Sequence, residues 1–179
     1  MEKQYEAGMH IRYGGTGICL IDRIEEVPYP GMQPMRRCYI LKPVRNVSME
    51  ISVPLDNELL CARILPLRTK EEIDSMLSDA AAQDAMAWNA DRKLRSSEFR
   101  RILAEGDAQT LLQMIRCILK QRGTLQKAGK RLSAADDAAW KDAARMLNEE
   151  FGFSLGLTPQ EAEQYICDRL AVMPEPLHT

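Results

Sequence analysis

The sequence predicts an α+β protein in two successive parts, a small curved β-sheet or barrel followed by an all-helical domain. Three observations predict this. Residues 5–68 are rich in β-branched and aromatic residues interrupted by turn formers. From Thr69 onward, apolar residues recur at helical spacing behind capping residues. Strands and helices do not alternate, which argues for separate domains at 1–68 and 69–179 rather than one mixed core. A chain of 179 residues has room for two small domains.

In the first part, "HIRYGGTGICLIDRIEEV" reads as strand, Gly-rich turn, strand, and "RRCYILKPV" and "MEISVPL" read as further strands. "PYPGMQP" and "VRNVS" read as turns or loops between them, and "RILPL" as one more short strand. Four or five short strands in so little chain favour a strongly curved sheet. Thr69 and Glu72 then have capping-box spacing for a helix carrying Ile73, Met76, Leu77 and Ala80. The Ala-rich "DAAAQDAMA" continues that helix or loosens into a linker, so helix and linker together occupy about 69–87. The next helix carries Leu94, Phe99, Ile102 and Leu103 and stops at Gly106, where Asp107 caps another. That one carries Leu111, Leu112, Ile115, Ile118 and Leu119 and ends near Gly123. Ser133 and Asp136 open a helix striped by Trp140, Ala144, Leu147 and Phe151, with Gly152 as its stop. Thr158, Pro159 and Glu161 supply N-cap, N1 and N3 of the last helix, and "MPEPLHT" reads as a frayed end.

Several chemistries find no footing. The two histidines, His10 and His178, lie near the ends, which disfavours a Ser–His–Asp or Cys–His site. "YGGTG" lacks the Lys-Ser/Thr ending of a phosphate loop and the spacing of a dinucleotide fold, so it reads as a glycine turn. The five cysteines are scattered, with no C-x-x-C pair, which suits reduced thiols in the cytoplasm and no zinc site. No signal peptide or membrane span is visible. The expectation is therefore a cytoplasmic, non-enzymatic protein without metal or cofactor, and nothing demands a dimer.

Charge is unevenly placed. Between Arg92 and Arg131 eleven basic residues face only Glu98, Glu105 and Asp107, a local net charge of +8. From Leu132 onward three basic residues face nine acidic ones, a net charge of −6. The basic block suits a polyanion partner, or it is a solvated face that pairs with the acidic segment. At its edge stands "AMAWNADRKLR", where Trp88 sits among small and polar residues just ahead of Arg92, Lys93 and Arg95. From the residues alone Trp88 reads as packing between the β part and the first helices, since large aromatics are mostly buried. Trp140 shares a helical stripe and reads as core, and the ten methionines read as core filling.

"YEAGMHIRYGGTGICLIDRIEE", "CYILK" and "ISVPLDN" together resemble the N-terminal module of the CarD/CdnL-type bacterial transcription regulators. "AWNADRKLRSSEFRRILAEGDAQTLLQMIRCIL" and "RLSAADDAAWKDAARMLNEE" resemble the helical half of that family. The resemblance runs from about Tyr5 to Phe151. It rests on the combination of "VP-x-x-N", a Trp opening the helical part, "L-A-x-G-D" and "L-S". It implies a Tudor-like β module, shared with the transcription–repair coupling factor, that pairs a strand edge with the RNA polymerase β subunit. Here that edge would include Ile51, Ser52 and Val53, which otherwise read as an ordinary strand. It implies that the helical module touches promoter DNA weakly and without sequence preference, Trp88 acting as a minor-groove wedge that modulates the stability of the open complex. Arg92, Lys93 and Arg95 would hold phosphates, joined by Lys127, Lys130 and Arg131. The alternative is an adaptor that binds polymerase or another protein without touching DNA. The chain departs from the family pattern at Ala90 and Asp91, where two basic residues are usual, at Ser52 and Val27, where Arg is common, and in the longer, basic "RGTLQKAGKRLS".

Overall fold

The computed structural model describes residues 5–29 and 31–170. The protein is α+β, and it divides into two compact units between Leu67 and Arg68.

The first unit is an antiparallel sheet of β1 (His10–Tyr13), β2 (Gly17–Tyr29), β3 (Met32–Pro43), β4 (Ile51–Pro54) and β5 (Ile64–Pro66). Its strand order is β4-β3-β2-β1-β5, with no pairing that closes it among the described residues, so it is an open sheet rather than a barrel. A single turn, α1 (Glu58–Cys61), capped by the Asn57 side chain, joins β4 to β5. β2 and β3 are far longer than the short strands expected, at 13 and 12 residues. They run through most of "PYPGMQP", and Gly31 supplies the turn with φ +77°. Pro28 falls at a register shift between Val27 and Tyr29, where its missing N–H breaks no ladder bond.

A second shift, between Ile21 and Arg23, decides the core. Cys19 and Ile21 face inward, and strict alternation would then turn Ile24 outward. The extra residue at Asp22 resets the parity, and Ile24 packs against the core with them. Ile11, Tyr13, Tyr39, Leu41, Val53 and Ile64 complete that core. The Tyr5 ring meets Tyr39 edge-on at 6.4 Å and donates its hydroxyl to the Ile64 carbonyl at 3.1 Å.

The second unit comprises α2 (Lys70–Ala82), α3 (Arg92–Glu105), α4 (Ala108–Lys127), α5 (Ala134–Leu155) and α6 (Pro159–Leu170). Each starts where a capping side chain satisfies first-turn amides: Thr69, Asp91, Asp107, Ser133 and Thr158. Thr69 with Glu72, and Thr158 with Glu161, form full capping boxes. The apolar stripes converge on one core that includes Ile73, Leu77, Phe99, Leu112, Trp140 and Phe151. Asp74 ties α2 to α6, accepting from the Tyr165 hydroxyl and from Arg169 Nε at 3.0 Å. Among the described residues no helix is long and apolar enough to cross a membrane. The expected frayed end beyond Leu170 lies outside the described residues.

Three helical expectations are corrected. α4 continues past Gly123 to Lys127, because one interior glycine costs only about 1 kcal/mol against a helix whose stripe is buried. α5 likewise passes Gly152 and stops at Gly156, which adopts φ +67° while the Leu157 amide donates to the Gly152 carbonyl at 2.8 Å. Gly152 is there for packing: a Cβ on it would lie 3.0 Å from the Leu157 carbonyl oxygen and 3.3 Å from Ala162 Cβ. Leu94, expected on the buried face of α3, is 60% exposed, and Arg95 takes the buried position beside it.

Gly152→Leu is therefore expected to overpack the α5–α6 turn and lower stability by about 1–3 kcal/mol, read as a lower urea midpoint.

Candidate functional site

Trp88 lies in the irregular segment between α2 and α3, and three local devices shape that segment. The Asp91 amide donates to the Asn89 side-chain carbonyl at 2.9 Å, and the Asp91 carboxylate accepts from the Lys93 and Leu94 amides at 2.8 and 3.0 Å. Asp91 is thus the N-cap of α3. One turn on, Arg95 folds back. Its guanidinium carbon stands 4.1 Å from the Trp88 ring centroid, and its Nη1 donates to the Asn89 carbonyl at 2.7 Å. Phe99 meets the indole edge-on, with centroids 6.3 Å apart. Trp88 is neither sealed nor free: it is half-buried, packed on the helical core with part of its surface in water.

The guanidinium is itself gripped from α5. Arg95 Nε and Nη2 each donate to an Asp136 carboxylate oxygen at 2.9 Å, a planar two-bond fork. The Ser133 hydroxyl donates to the same carboxylate at 2.6 Å and accepts from the Asp136 amide at 3.2 Å. Arg95 and Asp136 are 7% and 4% exposed. Burial pushes the Asp136 carboxyl up, but the hydrogen bonds from Arg95 and Ser133 and the charges of Arg95 and Arg92 outweigh it. The net effect holds it below the usual carboxylate range. Arg95 is pushed the other way, chiefly by its hydrogen bonds to Asp136.

The expected phosphate-holding residues therefore divide. Arg95 is not a solvent-facing cation; its guanidinium is buried and committed to Asp136, Asn89 and the Trp88 face. Arg92 and Lys93 are exposed on the first turn of α3. Lys127, Lys130 and Arg131 are exposed at the end of α4 and in the loop leading to Ser133. Elsewhere in the basic block, Arg116 donates to the Ala80, Ala81 and Gln83 carbonyls and so caps the end of α2. Arg101 pairs with Glu98 at 2.7 Å and Glu105 at 2.5 Å, and Arg122 stands over Trp140 at 4.8 Å. Trp140 is a core residue, 5% exposed. In the acidic segment, Asp136 reaches back to the block, while Asp137 and Asp142 pair within α5 with Lys141 and Arg145.

In the β unit, among the described residues, β4 is a terminal strand of the sheet, paired to β3 alone. Val53 is buried, Ile51 packs on the same core, and Ser52 stands opposite Ile40 on the other face. Three exposed apolar residues, Val44, Val47 and Met49, precede the strand.

Other features are modest. The buried Cys19 and Cys167 thiols are pushed up to about 11 by desolvation, which disfavours the reactive thiolate. Among the described residues no three His, Cys, Asp or Glu side chains gather as a metal site. A cleft of about 270 Å³ against α5 is lined by Trp140, Lys141, Ala144, Arg145, Glu149 and Glu163 among others, a mixture of charges without histidine or cysteine. No protein-family model matches the chain, and no curated protein matches it.

Because the Asp136 carboxyl titrates lower in the folded than in the unfolded chain, its stabilisation is present above the unfolded value of about 3.9 and is lost as pH falls through the folded value. Asp136→Ala, which strands a buried guanidinium, is expected to cost about 3–5 kcal/mol at neutral pH. The gap to the parent should narrow below about pH 4, measured by urea unfolding across pH.

Proposed function

We propose that the chain is a transcription regulator that docks on the RNA polymerase β subunit through its β unit, Tudor-like in kind, and contacts promoter DNA with its helical unit. The observation that carries this reading is Trp88: a half-buried indole, backed by a cation, with Arg92 and Lys93 exposed on the adjoining helical turn. An apolar wedge partly unstacks a base step at a cost of a few kcal/mol, and that cost is lowest where duplex already borders single strands. Such a side chain prefers a promoter being opened to closed duplex. It modulates open-complex stability by differential binding, with no chemistry. Arg92, Lys93, Lys127, Lys130 and Arg131 would add phosphate contacts without sequence information. So few contacts bind free DNA weakly, and the polymerase tether compensates by raising the local DNA concentration.

The terminal position of β4 supports the docking half. Main-chain groups of an end strand can pair with a partner strand, and side chains such as Ser52 then tune the contact rather than create it. A second reading, an adaptor that binds polymerase or another protein without touching DNA, is favoured by the acidic Asp91 and by the commitment of Arg95 to the fold.

Trp88→Ala is expected to leave β-subunit capture intact and to shorten the half-life of promoter open complexes. An unchanged half-life would remove the wedge, and a footprint unaltered upstream of the melted region would select the adaptor. Lys93→Ala should weaken binding equally across promoter sequences and reduce the slope of log affinity against log salt by about 1.

A further inference from the structure

We infer that Arg95 and Asp136 are positioning residues for Trp88: the buried pair holds the indole in one orientation so that its water-facing part is presented already ordered. The purpose of that ordering rests on the DNA-contact reading above; the holding itself rests on geometry alone.

An indole on an irregular segment would ordinarily sample several rotamers, and fixing it at the moment of binding weakens binding. Here the freedom is removed beforehand. The Arg95 guanidinium lies over the ring at 4.1 Å, and its Nη1 holds the carbonyl of the very next residue, Asn89, at 2.7 Å. One group therefore restrains both the side chain and the backbone that carries it. Arg95 could not do this while turning freely. Asp136 fixes its plane with two bonds at 2.9 Å, and the Ser133 hydroxyl fixes Asp136 at 2.6 Å. The restraint runs from the α5 N-cap through Asp136 and Arg95 to Trp88. A lysine would retain the charge but lacks the fixed fork of donors that holds Asp136 and the Asn89 carbonyl together.

The test reads the two tryptophans separately. The 179-residue chain labelled with 5-fluorotryptophan gives two 19F resonances, from Trp88 and Trp140, assigned by Trp88→Phe. In Arg95→Lys the Trp88 resonance is expected to move toward that of the free amino acid while the Trp140 resonance stays in place. Affinity for a forked DNA duplex at low salt should fall several-fold. The double variant with Trp88→Ala should bind no more weakly than Trp88→Ala alone. Resonances that shift together would show general loosening and overturn the proposal, as would a Trp88 resonance that does not move. So would losses in DNA affinity that multiply, the signature of an independent phosphate contact by Arg95. Should Arg95→Lys fail to fold by circular dichroism, Ser133→Ala, which removes the hydroxyl orienting Asp136, should displace the Trp88 resonance alone but less far; no displacement there overturns the proposal equally. If Trp88→Ala leaves fork binding unchanged while the Trp88 resonance still responds, the DNA reading fails and the holding role stands.

Discussion

The arrangement of the helical unit around Trp88 depends on a single buried ion pair. Removing Arg95 and Asp136 from water carries a penalty of several kcal/mol per ion, which attraction offsets only when the geometry is good and the remaining hydrogen-bonding groups are satisfied. Both conditions hold. The carboxylate receives two guanidinium bonds and one hydroxyl, and the guanidinium uses a further edge on a backbone carbonyl and one face on an aromatic ring. Satisfying the pair fixes three things together: α3 against α5, the segment that enters α3, and the rotamer of Trp88. An apolar pair in these positions would also pack α3 on α5, but it would not hold the Asn89 carbonyl or place a cation over an indole.

What was legible in the sequence was whatever neighbouring residues decide. The capping residues Thr69, Asp107, Ser133 and Thr158 announce helix starts because their partners lie within three residues. The strands of the β unit follow from β-branched and aromatic runs bounded by turn formers. Outcomes set by distant partners were not legible. Arg95 resembles its exposed neighbour Lys93 until Asp136, forty-one positions later, comes beside it. Asp136 itself carried a signal, capping-box spacing to Ser133, that fully explains its presence without hinting at a second partner. Gly152 satisfies a stop rule in sequence, yet the space it leaves is filled by the Leu157 carbonyl and Ala162. The parity change at Asp22 could have been suspected from the odd-to-even switch between Ile21 and Ile24, which no regular strand tolerates.

The basic block shows why net charge overstates a polyanion surface. Cations serve a fold as readily as a ligand: Arg116 neutralises the carbonyl end of α2, Arg101 bridges two acids on its own helix, and Arg95 is buried. The charges left exposed, including Arg92 and Lys93 on α3 and Lys127, Lys130 and Arg131 past α4, flank the two chain segments that Arg95 and Asp136 draw together. Under the proposed function, location rather than number would matter, because each phosphate contact contributes little and a scattered set would engage only one at a time.

Under the proposed function, half-burial of Trp88 is a compromise. A fully buried indole would stabilise the fold most and touch nothing outside it. A fully exposed one would be available but disordered, and its ordering would be charged against every encounter. Packing on Phe99 and the core, with a locked cation over the ring, gives the indole an apolar bed and a fixed aim without closing it from water. The same logic separates the two units under the proposed function. The contact through β4 would draw on main-chain groups, which every residue possesses, so Ser52 is an acceptable tenant there. The contact through Trp88 draws on one side chain and its supports, so substitutions at Arg95, Asp136 or Ser133 reach it even though none of them need touch the partner.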